Sequence, residues 1–300
     1  MFGFLNINKP RGETSRTVVN SVQKLVRPFK VGHAGTLDPL ATGVLVVCVG
    51  PATRLTQFVQ RMPKTYLGTF RLGVESDTED LEGQVIPVEG AEPVDRSQLE
   101  SVLKEFVGQI QQLPPRYSAL KVNGRRAYKL ARAGADFELN PRTITIESIS
   151  LVDFTYPEFK IELECSSGTY VRSLGRDIGR RLGSGAIMTN LTRTAIGNFS
   201  ITDSISPIGI GVESIRENLV AAQDRLDDLS YIAVPNTQLE LFANGYTWEP
   251  KSPLTDGQVG AVDESGRLLA ILNRKAPDCY TPKINFSKYW LEQTQRGLGL

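Results

Sequence analysis

The amino-acid sequence predicts an α+β fold followed by a small all-β domain. Three observations support this prediction: the 300 residues leave room for two domains, 40% of them are apolar, and the pattern changes near residue 231. Before that point, apolar runs of strand length are interspersed with helical patterns. After it, short strands with turn signals predominate.

The first predicted elements lie in residues 3–49. The apolar opening GFLNIN predicts a strand that ends in a turn at residues 9–12. Thr14 or Ser15 then caps a predicted helix whose apolar residues recur at helical spacing, namely Val18, Val19, Val22, Leu25 and Val26. The apolar run 44–49 predicts a buried strand, and residues 33–43 form the loop that enters it.

The next elements follow residue 65. Residues 66–74 predict a strand, after which the chain is acidic and contains Gly and Pro. Asp95 and Gln98 have capping-box spacing, which predicts the start of a helix. Its apolar face would consist of Leu99, Val102, Leu103 and Phe106.

A strand and a helix are also predicted on either side of the turn at 166–168. Alternation of apolar and polar residues over 159–165 predicts a half-buried strand. The helix after the turn would have an apolar face of Val171, Leu174, Ile178 and Leu182. Tyr170 and Arg172 then lie at a helix start, which favours a nearby anion.

The C-terminal part is predicted to begin after residue 235. A helix-like stretch at 211–226 precedes this boundary, and residues 258–262 and 267–272 read as a hairpin. The predicted domains are therefore 1–235 and 236–300. The seven Lys/Arg of the second domain are matched by seven acids, which argues against strong RNA binding there.

Cysteine and histidine usage excludes several kinds of site. The three cysteines are far apart in the sequence, and His33 is the one histidine. Neither a disulfide framework nor a sequence-local zinc site is indicated, so catalysis should depend on carboxylates, tyrosines, lysines or arginines. The absence of a long apolar stretch predicts no membrane association and a cytoplasmic location.

Charge is unevenly distributed although the net charge is only +1. Residues 1–65 carry nine Lys/Arg against two acids, and residues 114–134 carry six and no acid. Residues 75–105 carry ten acids against two bases. This segregation is typical either of a basic face for a polyanion or of ordinary solvated surfaces.

The loop at 33–43 contains a single acid, Asp38, within the basic first part of the chain. Such surroundings favour the ionised carboxylate. Asp38 could act as a nucleophile, cap a turn or be solvated. Spacing alone favours an Asp-Pro turn over catalysis.

The segment HAGTLDPLATGVL, which begins at His33, resembles the signature of the tRNA pseudouridine-55 synthase (TruB) family almost residue for residue. The resemblance covers residues 3–200 and extends to four further blocks: GFLNINKPRGETS, KTY at 64–66, PPRYSALKVNGRRAYKLAR from 114, and SGTYVR at 167–172. It implies a catalytic domain with a mixed, mainly antiparallel sheet flanked by helices, and a C-terminal PUA-like domain.

The resemblance implies that a uridine in the T-loop of tRNA, at position 55, is isomerised to pseudouridine without cofactor or metal. Asp38 matches the catalytic aspartate, a carboxylate nucleophile. Attack on ribose C1′, attack on uracil C6 and a glycal intermediate all remain open. The uridine must be flipped out of its stack, at a cost of about a few kcal/mol.

Further residues take their implied roles from the same motifs. Arg172 matches the arginine that pairs with the aspartate, and a two-pronged guanidinium contact is expected. Tyr66 matches the tyrosine that stacks on the target uracil and is a candidate proton acceptor. Tyrosine is a poor base at its ordinary pKa of about 10, so stacking is the safer prediction. Tyr170 matches a second site tyrosine, and core packing is the alternative for both rings.

The remaining predicted contacts concern substrate binding. His33 is expected to contact the flipped nucleotide and Leu191 to line the pocket, although core packing favours the same residue type. Lys9 has either a structural or an RNA-contacting role. The basic segment 114–134 is expected to lie along the RNA through Arg125, Arg126 and Arg132.

Three other interpretations remain. The chain could be an RNA-binding or RNA-folding factor without turnover, or a guided relative that works inside a ribonucleoprotein. A folding role could coexist with catalysis. A glycoside hydrolase fits less well because no second acid accompanies Asp38 in the motifs. The expected partner is the T-arm of tRNA, bound by a monomer with no obligatory protein partner.

Overall fold

The computed structural model describes residues 1–249, 256–276 and 279–295, and a large mixed sheet dominates it. Ten strands belong to this sheet: β1 (Gly3–Lys9), β2 (Val31–His33), β3 (Thr42–Val49), β4 (Lys64–Leu72), β7 (Gly108–Gln112), β10 (Arg142–Thr155), β11 (Glu158–Cys165), β12 (Ala186–Ile196), β13 (Phe199–Ser200) and β14 (Leu219–Val220). Two small hairpins lie outside it: β5 (Val74–Ser76) with β6 (Val85–Pro87), and β8 (Lys121–Val122) with β9 (Arg125–Arg126).

The helices are α1 (Ser15–Leu25), α2 (Thr56–Arg61), α3 (Arg96–Glu105), α4 (Ala127–Arg132), α5 (Val171–Arg181), α6 (Val212–Glu217), α7 (Leu239–Ala243) and α8 (Ser287–Gln295). Short 3₁₀ turns occur at Gly50–Leu55, Ile201–Asp203, Ala222–Arg225 and Asn236–Gln238.

The strand order of the large sheet is β14-β1-β3-β12-β4-β11-β10-β7, with β2 on β3 and β13 on β12. The pairing of β3 with β12 is parallel, whereas the other described pairings in this sheet are antiparallel. The α+β class with a mixed, mainly antiparallel sheet is therefore confirmed.

The face of the sheet that α5 covers is built around Phe70. Side chains alternate between buried and less buried along β4, as expected for a strand with one core face. Phe70 stacks on Phe159 of the neighbouring strand with ring centroids 5.1 Å apart. A Cβ atom on Gly175 of α5 would lie 2.4 Å from the Phe70 ring, so the missing side chain lets the helix pack closely.

The predicted start of α1 is confirmed. Thr14 is the N-cap, and its hydroxyl accepts a hydrogen bond from the backbone N–H of Thr17 at 3.0 Å. The helix buries Val18, Val19 and Val22 against the large sheet. β3 is buried along seven of its eight residues, which agrees with its unbroken apolar sequence.

The stretch 211–226 differs from the predicted helix. It contains α6, the short strand β14 and a 3₁₀ turn. Leu219 and Val220 pair with Leu5 and Phe4 at the edge of the sheet. Strand pairing at this edge overrides the helical pattern of the sequence.

A second sheet forms the C-terminal part, in the order β15 (Ser230–Ala233), β16 (Gln258–Val262), β17 (Leu268–Ala276) and β18 (Cys279–Asn285). The predicted hairpin is confirmed as β16 and β17. β15 lies before the predicted boundary at 235, yet it pairs in parallel with β16. Helices α7 and α8 are additions that the sequence analysis did not predict.

The two sheets pack against each other through an aromatic cluster. Phe2 lies 4.7 Å from Phe286 and 5.4 Å from Trp290, measured between ring centroids. Leu268 and Ile271 of β17 join the same buried cluster as Phe4. None of the helices in the described part of the chain has the length and apolar character needed to cross a membrane.

Candidate active site

The loop that carries Asp38 is fastened to the start of α1. Ser15 Oγ accepts a hydrogen bond from the N–H of Leu37 at 2.8 Å, and Gly12 N–H donates to Pro39 O at 2.8 Å. Ala41 N–H donates to Asp38 O at 3.1 Å, which closes the Asp-Pro turn. The Asp38 side chain remains 37% exposed. The turn and an accessible carboxylate therefore occur together, although the sequence presented them as alternatives.

Arg172, the second residue of α5, is the cation at Asp38. Its Nε lies 2.9 Å from Asp38 Oδ2, and its side chain is only 7% exposed. Its Nη1 donates to Thr78 O at 2.8 Å and its Nη2 to Tyr117 O at 3.1 Å. The expected two-pronged contact with Asp38 was wrong, because both terminal nitrogens are engaged by backbone carbonyls.

Asp80 is a site residue that the sequence analysis missed. Its buried carboxylate lies 3.4 Å from Arg172 Nη1 and accepts a hydrogen bond from Thr78 Oγ1 at 2.6 Å. Asp80 belongs to the acidic stretch 75–105. No local sequence pattern indicates that this stretch contacts Arg172. Arg172 therefore lies between two carboxylates, one accessible and one buried.

Tyr66 lies on β4 and is 8% exposed. Burial raises the pKa of its hydroxyl above the ordinary value of 10, with Arg193 opposing the shift. A raised pKa keeps Tyr66 neutral and disfavours a role as proton acceptor. The ring belongs to the same buried cluster as Leu37, Leu40 and Leu191.

Arg193 is a second buried residue that the sequence analysis missed. It lies on β12, opposite Tyr66 in the register with β4. Its Nε donates to Val44 O at 2.8 Å and its Nη2 to Gly35 O at 3.2 Å. Arg193 therefore connects β12 to β3 through Val44 and to the loop that carries Asp38 through Gly35.

Lys9 is fully buried at the end of β1. Its ammonium donates to Pro10 O at 2.8 Å, Glu13 O at 2.7 Å and Pro39 O at 3.5 Å. Burial lowers its pKa from 10.5 to about 8. These contacts are those of the structural role, one of the two roles expected for this residue.

Tyr170 precedes α5 and is held from two sides. The side-chain amide of Gln112 accepts from its N–H at 2.9 Å and donates to its carbonyl at 3.0 Å. The guanidinium of Arg142 lies 4.3 Å from the centroid of its ring. The ring is half-buried, so it is positioned by neighbours yet retains exposed surface.

His33 ends β2 and is half-buried. Its Nδ1 is buried and has no hydrogen-bond partner within the described part of the chain. Burial lowers its pKa, a hydrogen bond with the backbone of Gly35 opposes this shift, and the charges of Arg193 and Arg16 lower the pKa further. The imidazole is therefore neutral near pH 7, which agrees with a binding role rather than an acid role.

The predicted RNA-contacting arginines lie at the surface. Arg125 and Arg126 form the exposed strand β9, and Arg132 ends α4 with its guanidinium 5.7 Å from the Tyr128 ring. The same segment supplies Tyr117 O to Arg172. Across residues 1–249, 256–276 and 279–295, no group of three potential ligands suits a metal ion.

Sequence comparison identifies close relatives. Residues 23–171 match the family model described as TruB family pseudouridylate synthase (N terminal domain). The chain is 42% identical to tRNA pseudouridine synthase B of Clostridium kluyveri, over 85% of this chain and 88% of that protein. Its identity to the enzyme of the same name from Clostridium acetobutylicum is 44%, over 82% and 84%.

Solved structures share the fold at lower identity. A chain in the structure of an H/ACA RNP bound to a substrate RNA containing 2'-deoxyuridine matches with a TM-score of 0.71 and 23% identity, over 96% of this chain and 86% of that one. A Cbf5-Nop10-Gar1 complex gives 0.70 and 24% over the same shares. The sequence matches confirm the resemblance seen in the motifs: this chain belongs to the TruB family of pseudouridylate synthases.

Proposed function

We propose that this protein isomerises uridine to pseudouridine in tRNA, at position 55 of the T-loop. The observation that carries the proposal is the accessible Asp38 carboxylate held 2.9 Å from the buried guanidinium of Arg172. A charge-assisted contact of this kind orients the carboxylate. The comparisons support the same reaction, since relatives at 42% and 44% identity are named for it.

The reaction breaks the N1–C1′ bond, turns the uracil and forms a C5–C1′ bond. Asp38 is the group that participates covalently or takes a proton, and Arg172 holds it. Tyr66 stacks on the flipped base, while Tyr170, His33 and Leu191 line the nucleotide pocket. Stacking offsets the cost of extrusion by about 1 to 3 kcal/mol per base.

The basic segment 114–134 supplies the phosphate contacts through Arg125, Arg126 and Arg132. All three are exposed, as phosphate-binding side chains must be. The hydrogen bond from Arg172 to Tyr117 O connects this segment to the site. We propose that the T-arm lies along it.

The organisation of the whole protein is also part of the proposal. The chain divides near residue 235 into a catalytic domain and a PUA-like C-terminal domain. The enzyme acts as a cytoplasmic monomer and needs neither a cofactor nor a protein partner.

Asp38→Asn tests the proposal. The variant should lose tritium release from C5-labelled uridine in tRNA, because the amide is not a nucleophile. Binding of tRNA should stay within about threefold of the original, because the amide has nearly the size and shape of the carboxylate and the basic segment that contacts the phosphates is unchanged. The exposed Asp228 supplies a matched control, Asp228→Asn, which should react normally. Turnover by Asp38→Asn would contradict the assignment.

A further inference from the structure

Arg193 is a buried cation without a carboxylate partner. The residue is 2% exposed, and its hydrogen bonds to the backbone go to the carbonyls of Val44 and Gly35. No described acid lies within ion-pair distance of it, whereas Arg172 and Arg176 contact carboxylates. An unpaired buried charge is costly, so a negative group that arrives with the substrate would be favoured here.

The position of Arg193 shows where its charge acts. Arg193 and Tyr66 are direct partners across β12 and β4, and side chains at such positions lie next to each other. Arg193 acts on the Tyr66 hydroxyl both as a charge and as a hydrogen-bond donor, and Asp38 acts on the same hydroxyl by charge. The hydroxyl therefore lies under the influence of both groups.

Arginine can only donate hydrogen bonds, so its contact uses the oxygen of Tyr66 as acceptor. The proton of Tyr66 is then available for an acceptor in the pocket. The two buried lysines of the described residues are differently placed. Lys9 donates to three carbonyls of the N-terminal turn and the Asp38 loop, and Lys64 to the carbonyls of Gln60 and Met62.

The proposed isomerisation provides the negative group. When the N1–C1′ bond breaks, its electron pair passes to the uracil ring, which carries negative charge until the C5–C1′ bond forms. The deficit at C1′ is met by a bond from Asp38 or by loss of the 2′ proton. C5 finally loses a proton and N1 gains one, so the product is an isomer of the substrate.

We propose that Arg193 is a positioning residue that stabilises the detached uracil anion through Tyr66: because the hydroxyl oxygen faces Arg193, the hydroxyl proton and the positive end of the O–H dipole are directed into the pocket. This inference rests on the proposed function. It assigns the buried charge to the bond-breaking step, where preorganised donors have their largest effect.

The test compares tRNA containing uridine with tRNA containing 5-fluorouridine at the target position. Fluorine withdraws electrons and stabilises the uracil anion, so a group that supplies this stabilisation matters less. With uridine, Arg193→Gln should slow the single-turnover conversion of N-glycoside to C-glycoside about 100-fold. With 5-fluorouridine, the same variant should slow this conversion about 10-fold or less. Mass spectrometry of nuclease digests measures both products.

Arg193→Lys keeps the charge and should lose less activity on uridine than Arg193→Gln does. Its loss of rate should likewise be smaller with 5-fluorouridine than with uridine. This variant carries the test alone if circular dichroism shows that Arg193→Gln does not fold. In a Tyr66→Phe background, Arg193→Lys should add less than about threefold, because both changes interrupt one path.

Equal slowing of the Arg193 variants on both substrates, or full additivity with Tyr66→Phe, would overturn the inference and indicate a structural role. Failure of the unchanged protein to convert uridine would instead overturn the proposed function. The two failures are therefore distinguishable.

Discussion

Arg172 makes four polar contacts from one buried side chain. Its Nε faces Asp38, and its terminal nitrogens face Asp80 and the carbonyls of Thr78 and Tyr117. The planar guanidinium can reach these groups at once because its donors point in several fixed directions. A lysine at this position would place a single ammonium among them.

Arg172→Lys should therefore lower the single-turnover rate of pseudouridine formation by about 100-fold or more, because a single ammonium cannot make all four contacts of the guanidinium. Arg181→Lys is the matched control on the same helix, because Arg181 is 63% exposed and paired with Glu105. That control should react at nearly the normal rate. Near-normal activity of Arg172→Lys would argue against the ion pair as the device that holds Asp38.

Lys9 should make stability depend on pH. Burial lowers its pKa to about 8 from 10.5, so between these values the unfolded chain binds more protons than the folded one. The free energy of unfolding then rises with pH through this window, and below it the cost of the buried charge is fully present.

Urea unfolding measured from about pH 7 to about pH 10 checks this prediction. Relative to Lys9→Met, the original protein should gain stability as the pH rises. Relative to the exposed Lys288→Met, its stability should change little. Parallel pH curves for the original protein and Lys9→Met would contradict the prediction.

The motifs made Asp38, Tyr66 and Arg172 predictable because each lies in a block of recognisable spacing. Asp80 and Arg193 could not be found in this way. Asp80 stands among ten acids of the stretch 75–105, and only the folded chain brings it to Arg172. Arg193 reads as an ordinary polar residue of a strand until its register with Tyr66 is known.

At the level of elements, the parallel contact of β3 with β12 holds the site together. Gly43 pairs with Arg193 there, and a Cβ atom on Gly43 would lie 2.2 Å from Arg193 O. The backbone of Gly43 also has a φ of +98°. No side chain fits without separating the two strands.

Gly43→Ala should lower the free energy of unfolding by about 3 kcal/mol or more, because backbone strain and overpacking combine. Gly12→Ala is the control: its φ is +86° but nothing lies within 4 Å of the added atom, so about 1 kcal/mol is expected. Urea unfolding of both variants gives the comparison. Equal losses would show that the β3–β12 contact tolerates a side chain.

The elements that local patterns predict are those whose burial follows a simple period or an unbroken apolar run. β3, β4, α1 and α5 belong to this class, as does the capping box of Asp95 and Gln98, which is present in α3. The helix predicted for residues 211–226 was wrong because pairing with β1, which is distant in sequence, decides their conformation. Helices α7 and α8 were missed because short strands dominate the sequence around them.

At the scale of the whole molecule, segregated charge should govern binding of RNA. Residues 114–134 carry six basic residues and no acid. The double variant Arg125→Ala/Arg126→Ala should reduce the slope of log Kd against log salt concentration by about 1.5, since two phosphate contacts are lost.

Filter binding over a range of salt concentrations measures that slope. Lys104→Ala removes a cation from the exposed surface of the acidic stretch 75–105 and should leave the slope unchanged. If both variants behaved alike, the basic segment would not be the phosphate-contacting surface.

The most direct test of the central claim maps pseudouridine in tRNA from cells that lack this protein and from the same cells supplied with the original protein or Asp38→Asn. We predict that pseudouridine at position 55 disappears without the protein, returns with the original and stays absent with Asp38→Asn. Pseudouridine at position 55 in the cells supplied with Asp38→Asn, or an unchanged map in cells without the protein, would contradict the account.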